Sequence, residues 1–178
     1  MLWFRSGQRR KDVVDNQVKT QRREKNIVMA KIGASVIVDR PVEEVWRSVI
    51  DFPNAPKIDP DLLECKVTSE GPLGVGTTIQ SKRTTRGANL VVFHVTEYEP
   101  GRKITAEVRS PNMMKGSRST TALENADGKT KLSIAWDMKL NGFYSLLGPL
   151  LARSTKKLCE TQVGNIKRVL ETEPQSQG

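Results

Sequence analysis

The sequence predicts one α+β domain in which a curled antiparallel sheet of about seven strands surrounds a long C-terminal helix. Two observations support this class. Between residues 62 and 140, segments with alternating apolar and polar residues follow one another, with only short turn-forming stretches between them. The segment 144–172 instead carries apolar residues at spacings of three, four and seven, which is typical of one buried stripe on a helix.

One strand and one short helix are predicted before this meander. Residues 31–38 alternate between apolar and polar side chains, as a strand does. Pro41 suits the first position of a helix, and the apolar residues between Val42 and Ile50 form a one-sided stripe. Pro53 and Pro56 then break that helix and leave room for one further helical turn. We therefore expect a strand followed by a pair of short helices.

The six following strands are predicted at residues 62–69, 77–85, 88–98, 102–109, 116–125 and 131–140. Asp127-Gly128, between the last two, is a strong signal for a tight hairpin turn. The final strand alternates without a break, with Leu132, Ile134 and Trp136 on one face, as in an antiparallel sheet with one solvated face. A meander of this length twists and curls, so its apolar face is expected to wrap around the helix.

The apolar stripe predicted for the final helix consists of Leu147, Leu150, Leu151, Leu158, Ile166, Val169 and Leu170. Ser154 and Thr161 fall near the same stripe. Because an unpaired hydroxyl group in a dry core costs about 1–3 kcal/mol, we expect these two hydroxyl groups to face water or a ligand. A curled sheet contacts a helix only along a stripe. A gap lined by apolar side chains is therefore expected between sheet and helix.

The positive charge of the chain is concentrated near its start. The chain has 178 residues and a net charge of +9, and residues 1–28 contain eight Lys or Arg against three Asp or Glu. These residues lack apolar periodicity. We therefore predict a basic, disordered tail at 1–28, a domain at 29–172 and a flexible C-terminus at 173–178. The tail is expected to make weak contact with anionic surfaces, and no specific nucleic-acid partner is predicted.

The hydropathy of the sequence and the spacing of its cysteines predict the cellular compartment. No run of apolar residues is long enough to span a membrane, and the apolar start at residues 1–4 is too short for a signal peptide. Cys65 and Cys159 lie far apart and in no metal-binding or redox spacing. We therefore predict a cytoplasmic protein in which both cysteines are reduced.

Several short motifs occur in an order that matches a known superfamily. They are ASVIVDRPVEEVW at residues 34–46, DFPNAP at 51–56, GVGT at 74–77, VTEYEPGR at 95–102 and DGKT at 127–130. Over residues 30–172 the chain resembles the START-like, or SRPBCC, superfamily, which includes polyketide cyclases, dehydratases and lipid-transport domains. The resemblance implies the helix-grip fold and a hydrophobic cavity. It implies no particular activity, because these proteins share a cavity rather than a catalytic signature.

The residues themselves give little support for catalysis. His94 is the only histidine, and the sequence shows no nucleophile–base pairing, phosphate-binding loop or metal-ligand spacing. No catalytic residue, metal or cofactor is therefore predicted. The resemblance implies that a few polar groups in a cavity could accelerate ring closure or dehydration. The candidates for that role are Tyr98, Arg83, Arg118 and Glu107, and for both arginines we favour the solvent-facing side of the sheet.

The predicted ligand-binding residues are mainly apolar side chains expected around the cavity: Trp46, Ile50, Phe93, Val95, Ile104, Val108, Ile134, Trp136, Met138, Leu151, Ser154 and Leu158. The favoured function is the binding or transport of a small hydrophobic ligand, lipid-like or polyketide-like, without chemical change. One alternative is a polyketide cyclase, aromatase or dehydratase. A second is a module that interacts with a protein or with the ribosome. Whether the protein is an enzyme is left open, with non-catalytic binding favoured.

Overall fold

A computed structural model describes residues 28–84, 89–140 and 146–172, with side chains from residue 31 onward. Its seven-stranded sheet has the order β1-β7-β6-β5-β4-β3-β2, and all neighbouring strands are antiparallel. The strands are β1 Val28–Val38, β2 Leu62–Val67, β3 Thr78–Arg83, β4 Leu90–Glu99, β5 Lys103–Ser110, β6 Arg118–Ala126 and β7 Lys129–Leu140. The predicted α+β class and the antiparallel meander are confirmed. The predicted tail at 1–28, apart from Val28, and the C-terminus at 173–178 lie outside the described residues.

In the part of the chain that the structure describes, two α-helices flank the strands of the meander. Helix α1 spans Val42–Ile50 and is followed by a 3₁₀ helix at Phe52–Lys57, so the predicted pair of short helices is confirmed. A second short 3₁₀ helix lies at Asn112–Met114. Helix α2 spans Gly148–Thr172 and packs mainly against β1. Within the described residues, neither helix is both long and apolar enough to cross a membrane.

The turn between β6 and β7 has the predicted form. Asp127 and Gly128 have φ angles of +54° and +81°, and the register runs on directly from Ala126 to Lys129 on the two strands. Positive φ at both central residues is typical of the type I′ hairpin turn, which favours Asp-Gly because Gly has no Cβ atom and Asp tolerates the left-handed backbone conformation. This turn sets the register of the longest strand of the sheet.

A close approach between β1 and β7 explains a glycine inside a strand. Gly33 pairs directly with Ala135, and a Cβ atom at Gly33 would lie 2.8 Å from the carbonyl oxygen of Ile134. Only a residue without a side chain fits at that distance without a shift of the backbone. The close contact lies in the strand pair against which α2 packs.

The buried face of α2 differs from the predicted stripe. Its buried side chains are Cys159, Val163 and Ile166, whereas the side chain of Leu150 is 68% exposed. Leu150 and Cys159 are nine positions apart, which at about 100° per residue places them on opposite faces of the helix. The prediction that Leu150 belongs to the buried stripe is therefore wrong. Of the other members of that stripe, Ile166 is buried in the core and Leu170 packs against it half-buried.

The C-terminal turn of α2 is joined to the end of β1. A carboxylate oxygen of Glu171 accepts a hydrogen bond from the backbone N–H of Asp39 at 2.8 Å and one from the ammonium group of Lys167 at 2.9 Å. Lys167 also donates to the carbonyl oxygen of Ile37 at 2.7 Å. The contacts of Glu171 with Asp39 and of Lys167 with Ile37 connect positions more than 120 residues apart in the chain, and so hold the last turn of the helix at the end of β1.

Candidate functional site

A cavity of about 200 Å³ lies between the concave face of the sheet, the 3₁₀ helix at Phe52–Lys57 and α2. Its apolar wall consists of Phe52, Ala55, Ile58, Leu62, Cys65, Ile79, Phe93, Ile104, Ala106, Ile134, Trp136 and Ile166. Its polar residues are Asp59, Ser81, Arg83, Ser119, Thr121 and Gln162. Such a mainly apolar space with a few polar groups is what small-molecule sites in proteins have in common.

The curl of the sheet closes this space. Phe93 on β4 and Trp136 on β7 are separated in the sheet by β5 and β6. In a flat sheet with strands about 4.8 Å apart, these residues would be roughly 14 Å from each other. Their ring centroids are instead 6.0 Å apart, in an edge-to-face arrangement with an interplanar angle of 61°. The curl of the sheet and the reach of both side chains therefore bring the two aromatic rings together on the concave side.

Three polar side chains from three different elements meet at one end of the cavity. A guanidinium nitrogen of Arg83 on β3 lies 2.6 Å from a carboxylate oxygen of Asp59, with the side chains 19% and 4% exposed. The amide of Gln162 on α2 donates to the same oxygen at 3.0 Å. The other carboxylate oxygen of Asp59 accepts from the backbone N–H of Asp61 at 3.1 Å. The end of the cavity thus holds a compensated ion pair next to an amide.

A further hydrogen bond holds the segment that carries Asp59 against α2. The side-chain amide of Asn165 donates to the carbonyl oxygen of Ile58 at 2.6 Å. Asn165 and Gln162 are three residues apart, so they project from the same side of the helix. Together they position residues 58 and 59 relative to α2, and this keeps the carboxylate of Asp59 directed at Arg83.

The cysteine of the cavity wall is not prepared for nucleophilic chemistry. The sulfur of Cys65 lies 3.4 Å from the hydroxyl oxygen of Ser81, and burial raises the pKa of the Cys65 thiol above its usual value. A raised pKa keeps the thiol protonated near neutral pH, and the thiolate is the reactive form. In the described part of the chain, no three His, Cys, Asp or Glu side chains are grouped as a metal site.

Comparison with protein families matches residues 29–171 to the family described as polyketide cyclase / dehydrase and lipid transport. The chain belongs to this family. The match covers nearly all of the described residues, including every strand that lines the cavity. A comparison with curated proteins finds no match.

Solved structures share the fold of this family member. The Zhui aromatase/cyclase from Streptomyces sp. R1128 is 16% identical with a TM-score of 0.63, over 82% of this chain and 98% of that one. TTHA0849 from Thermus thermophilus is 15% identical with a TM-score of 0.66, over 82% and 100%. The di-domain ARO/CYC StfQ from the steffimycin biosynthetic pathway is 14% identical with a TM-score of 0.68, over 86% and 53%. At these identities the likeness shows the helix-grip fold, as the sequence predicted.

Four of the predicted ligand-binding residues line the cavity of the present protein: Phe93, Ile104, Ile134 and Trp136. Of the others, Trp46, Val95, Val108 and Met138 are buried, Ile50, Leu151 and Leu158 are half-buried, and Ser154 is exposed. None of these eight is among the described residues that line the cavity. Ser154 is four positions after Leu150 and so lies on the same exposed face of α2. Whether any of the twelve contacts a ligand stays a prediction.

Asp59 and Gln162 were not among the predicted site residues, and the solvent-facing side favoured for Arg83 is wrong. Arg83 faces the cavity and Asp59, whereas Arg118 is 55% exposed beside Glu107, as expected. A signal for Arg83 was present, because Ile79, Ser81 and Arg83 are spaced by two residues on one strand and share a face. For Asp59, in an irregular segment between helix and strand, the sequence pattern contains no such signal.

Proposed function

We propose that this protein binds a small, mainly apolar molecule in the cavity between the sheet and α2, and carries it without chemical change. The observation that supports this most directly is the cavity of about 200 Å³, whose apolar wall ends at the Arg83–Asp59 pair and Gln162. The family is described by cyclase, dehydrase and lipid-transport members. Binding a hydrophobic molecule is common to those activities.

The size of the cavity limits the ligand that fits it as it stands. Its volume of about 200 Å³ lies between the roughly 150 Å³ of an engineered cavity that binds benzene and the roughly 300 Å³ at which pockets for drug-sized ligands begin. A ligand with one or two rings fits this space. A longer acyl or polyketide chain requires the wall to open, for example where Phe52 and Ala55 of the 3₁₀ helix border the cavity.

The polar end of the cavity favours a ligand with a neutral oxygen function. Arg83 is already paired with the carboxylate of Asp59 at 2.6 Å, so a ligand carboxylate would have to compete with a buried, charge-assisted contact. A hydroxyl or carbonyl oxygen can instead accept from a remaining N–H of the guanidinium or amide group without separating the pair. We therefore expect phenol-like or ketone-like ligands to bind more tightly than carboxylates of the same size.

Native mass spectrometry of the purified protein tests the proposal directly, because a retained small molecule appears as added mass. Titration with 2-naphthol, followed by tryptophan fluorescence, provides a defined probe, since Trp136 forms part of the wall. Ala106→Phe should fill the cavity and abolish binding. Ser154→Phe, on the exposed face of α2, is the matched control and should bind as the unmodified chain does. Equal binding by both variants, with unchanged thermal midpoints, would place the ligand elsewhere.

A cyclase or dehydratase is the second candidate, because the family is also described by those activities and Arg83 lies in the cavity wall. Incubation with a poly-β-ketone analogue, analysed for loss of water or ring closure, separates the two functions. Turnover by the unmodified chain that is lost in Arg83→Gln but kept in Arg118→Gln would favour the enzyme. Binding of the analogue without any change in mass would favour transport.

A further inference from the structure

The start of α2 exposes three leucines close together. Leu146 and Leu147, in the turn before the helix, are 72% and 38% exposed, and Leu150 is 68% exposed. Single exposed apolar residues are ordinary on protein surfaces. Three within five positions bring exposed apolar surface together at the start of the helix, and such surface with a polar rim is typical of interaction sites when it is extensive. We call Leu146, Leu147 and Leu150 the leucine patch.

Basic side chains continue from this patch along the same face of the helix. Arg153 and Lys157 follow Leu150 at spacings of three and seven, which places them on the face opposite the buried Cys159. Lys156 lies beside them, 64% exposed, with its ammonium group 3.9 Å from a carboxylate oxygen of Glu160. The face therefore presents three cations and one anion directly after an apolar patch.

We propose that the leucine patch, with Arg153, Lys156 and Lys157, docks on the surface of an anionic lipid bilayer. The free energy of leucine side chains falls when they leave water for the boundary between headgroups and acyl chains. Lys157 lies about 10 Å along the helix axis from Leu150. Long basic side chains can reach lipid phosphates across such a distance while their stems stay against apolar surface. Each basic residue near such a surface contributes to binding through the negative surface potential.

Charge and apolarity together select this occupant over others. A second copy of the chain would bring two sets of three cations against each other, which disfavours a dimer through this face. A nucleic acid would pair with the cations but would leave the leucines exposed to water. None of the six residues is among the described residues that line the cavity. The docking surface is therefore independent of the proposed ligand binding.

Co-sedimentation of the full chain with vesicles tests the apolar part. Vesicles of phosphatidylcholine alone are compared with vesicles that also contain phosphatidylglycerol. Leu146→Ser combined with Leu150→Ser should lower partitioning by about tenfold or more, because two buried leucine contacts are lost. Leu63→Ser combined with Val75→Ser is the matched control, with side chains that are 56% and 69% exposed elsewhere on the surface. The control should partition as the unmodified chain does.

A second set of variants tests the charged part. Arg153→Gln, Lys156→Gln and Lys157→Gln together should lower binding to the anionic vesicles by roughly 100-fold, from about 1 kcal/mol for each residue. Lys31→Gln, Lys66→Gln and Lys82→Gln change the net charge equally at other exposed positions and should have a much smaller effect. All altered side chains are exposed or nearly so, so the thermal midpoints should stay close to that of the unmodified chain.

Three results would overturn the docking surface. The first is no binding of the unmodified chain to anionic vesicles at low ionic strength. The second is equal binding by the leucine variant and its control, which would assign vesicle binding to other residues such as the basic segment before β1. The third is binding to duplex DNA that the glutamine variant loses, without vesicle binding by the unmodified chain, which would assign the basic face to nucleic acid.

Discussion

Among single residues, Asp59 holds the polar end of the cavity together. Its carboxylate accepts hydrogen bonds from Arg83, from Gln162 and from the backbone of Asp61, and its side chain is only 4% exposed. Removal of the carboxylate leaves the guanidinium of Arg83 without a partner. Water compensates for this loss only in part, because the Arg83 side chain is 19% exposed. A buried charge that loses its partner is costly, whereas the intact pair itself adds little net stability.

Asp59→Ala should therefore lower the free energy of unfolding by about 3 kcal/mol, toward the lower end of the range for broken buried pairs because Arg83 keeps some exposure. Urea denaturation measures this change. Asp61→Ala is the control, because its side chain is exposed two positions away, and it should stay within about 0.5 kcal/mol of the unmodified chain. Equal effects of the two changes would mean that the Asp59–Arg83 pair is not formed in solution.

Among the elements, α2 has one face in the core and one face exposed to solvent, and only the first should contribute to stability. Ile166 is 5% exposed and Leu150 is 68% exposed, although both were members of the predicted stripe. Ile166→Ala should lower the free energy of unfolding by about 2–5 kcal/mol, because it leaves a cavity in the core. Leu150→Ala should change it by no more than about 0.5 kcal/mol. Thermal or urea unfolding of the two variants distinguishes these faces, and a larger loss for Leu150→Ala would reverse the assignment.

The elements differ in how far the sequence predicts them. Strand β7 and its Asp127-Gly128 turn were predicted well, because strict alternation allows only one face of a strand to be apolar and the turn residues permit positive φ. Helix α2 was predicted as an element, but its buried face was predicted only in part, through Ile166. Its leucines are concentrated in the first turns, whereas its buried side chains are Cys159, Val163 and Ile166. A prediction based on the leucines therefore placed exposed residues such as Leu150 on the buried face of the helix.

The contact between the end of α2 and β1 should give stability a dependence on acid pH. The hydrogen bond from Lys167, together with that from the backbone of Asp39, holds the pKa of Glu171 below its usual value of 4.5. A carboxyl group whose pKa is lower in the folded than in the unfolded state stabilises the fold at pH values above its unfolded pKa. That contribution is lost as the pH falls through the lower, folded value.

Glu171→Gln should therefore lower the thermal midpoint at pH 7, and the difference from the unmodified chain should shrink as the pH falls below about 4.5. Thermal scans at a series of pH values between neutral and acid measure this difference. Glu160→Gln is the control, because Glu160 is an exposed carboxylate on the same helix, 3.9 Å from Lys156. A difference between Glu171→Gln and the unmodified chain that stays constant with pH would show that the carboxylate does not carry the effect.

For the whole molecule, the fold followed from the sequence, while the position of the cavity followed only in part. The order of elements and the resemblance over residues 30–172 predicted a sheet curled around a helix, and the family match confirms it. The extent of the curl decides which apolar residues face the open space and which pack as core. Phe93 and Trp136 meet at 6.0 Å across two intervening strands. Val95 and Val108, with the same alternation, are fully buried away from the cavity.

The extent of the independently folding domain gives a final prediction. Strand β1 pairs with β7 along its whole length, from Val28 opposite Leu140 to Val38 opposite Thr130. The strand thus obtains its backbone partners from within the domain, and the preceding residues contribute no apolar periodicity. Deletion of residues 1–27 should therefore leave the thermal midpoint nearly unchanged, as measured by calorimetry. Deletion through residue 31 should lower it, because the partners of Leu140, Lys139, Met138 and Asp137 are lost. A fall of more than about 5 °C in the shorter deletion, on the order of 1–2 kcal/mol for a chain of this size, would show that the basic segment packs on the domain.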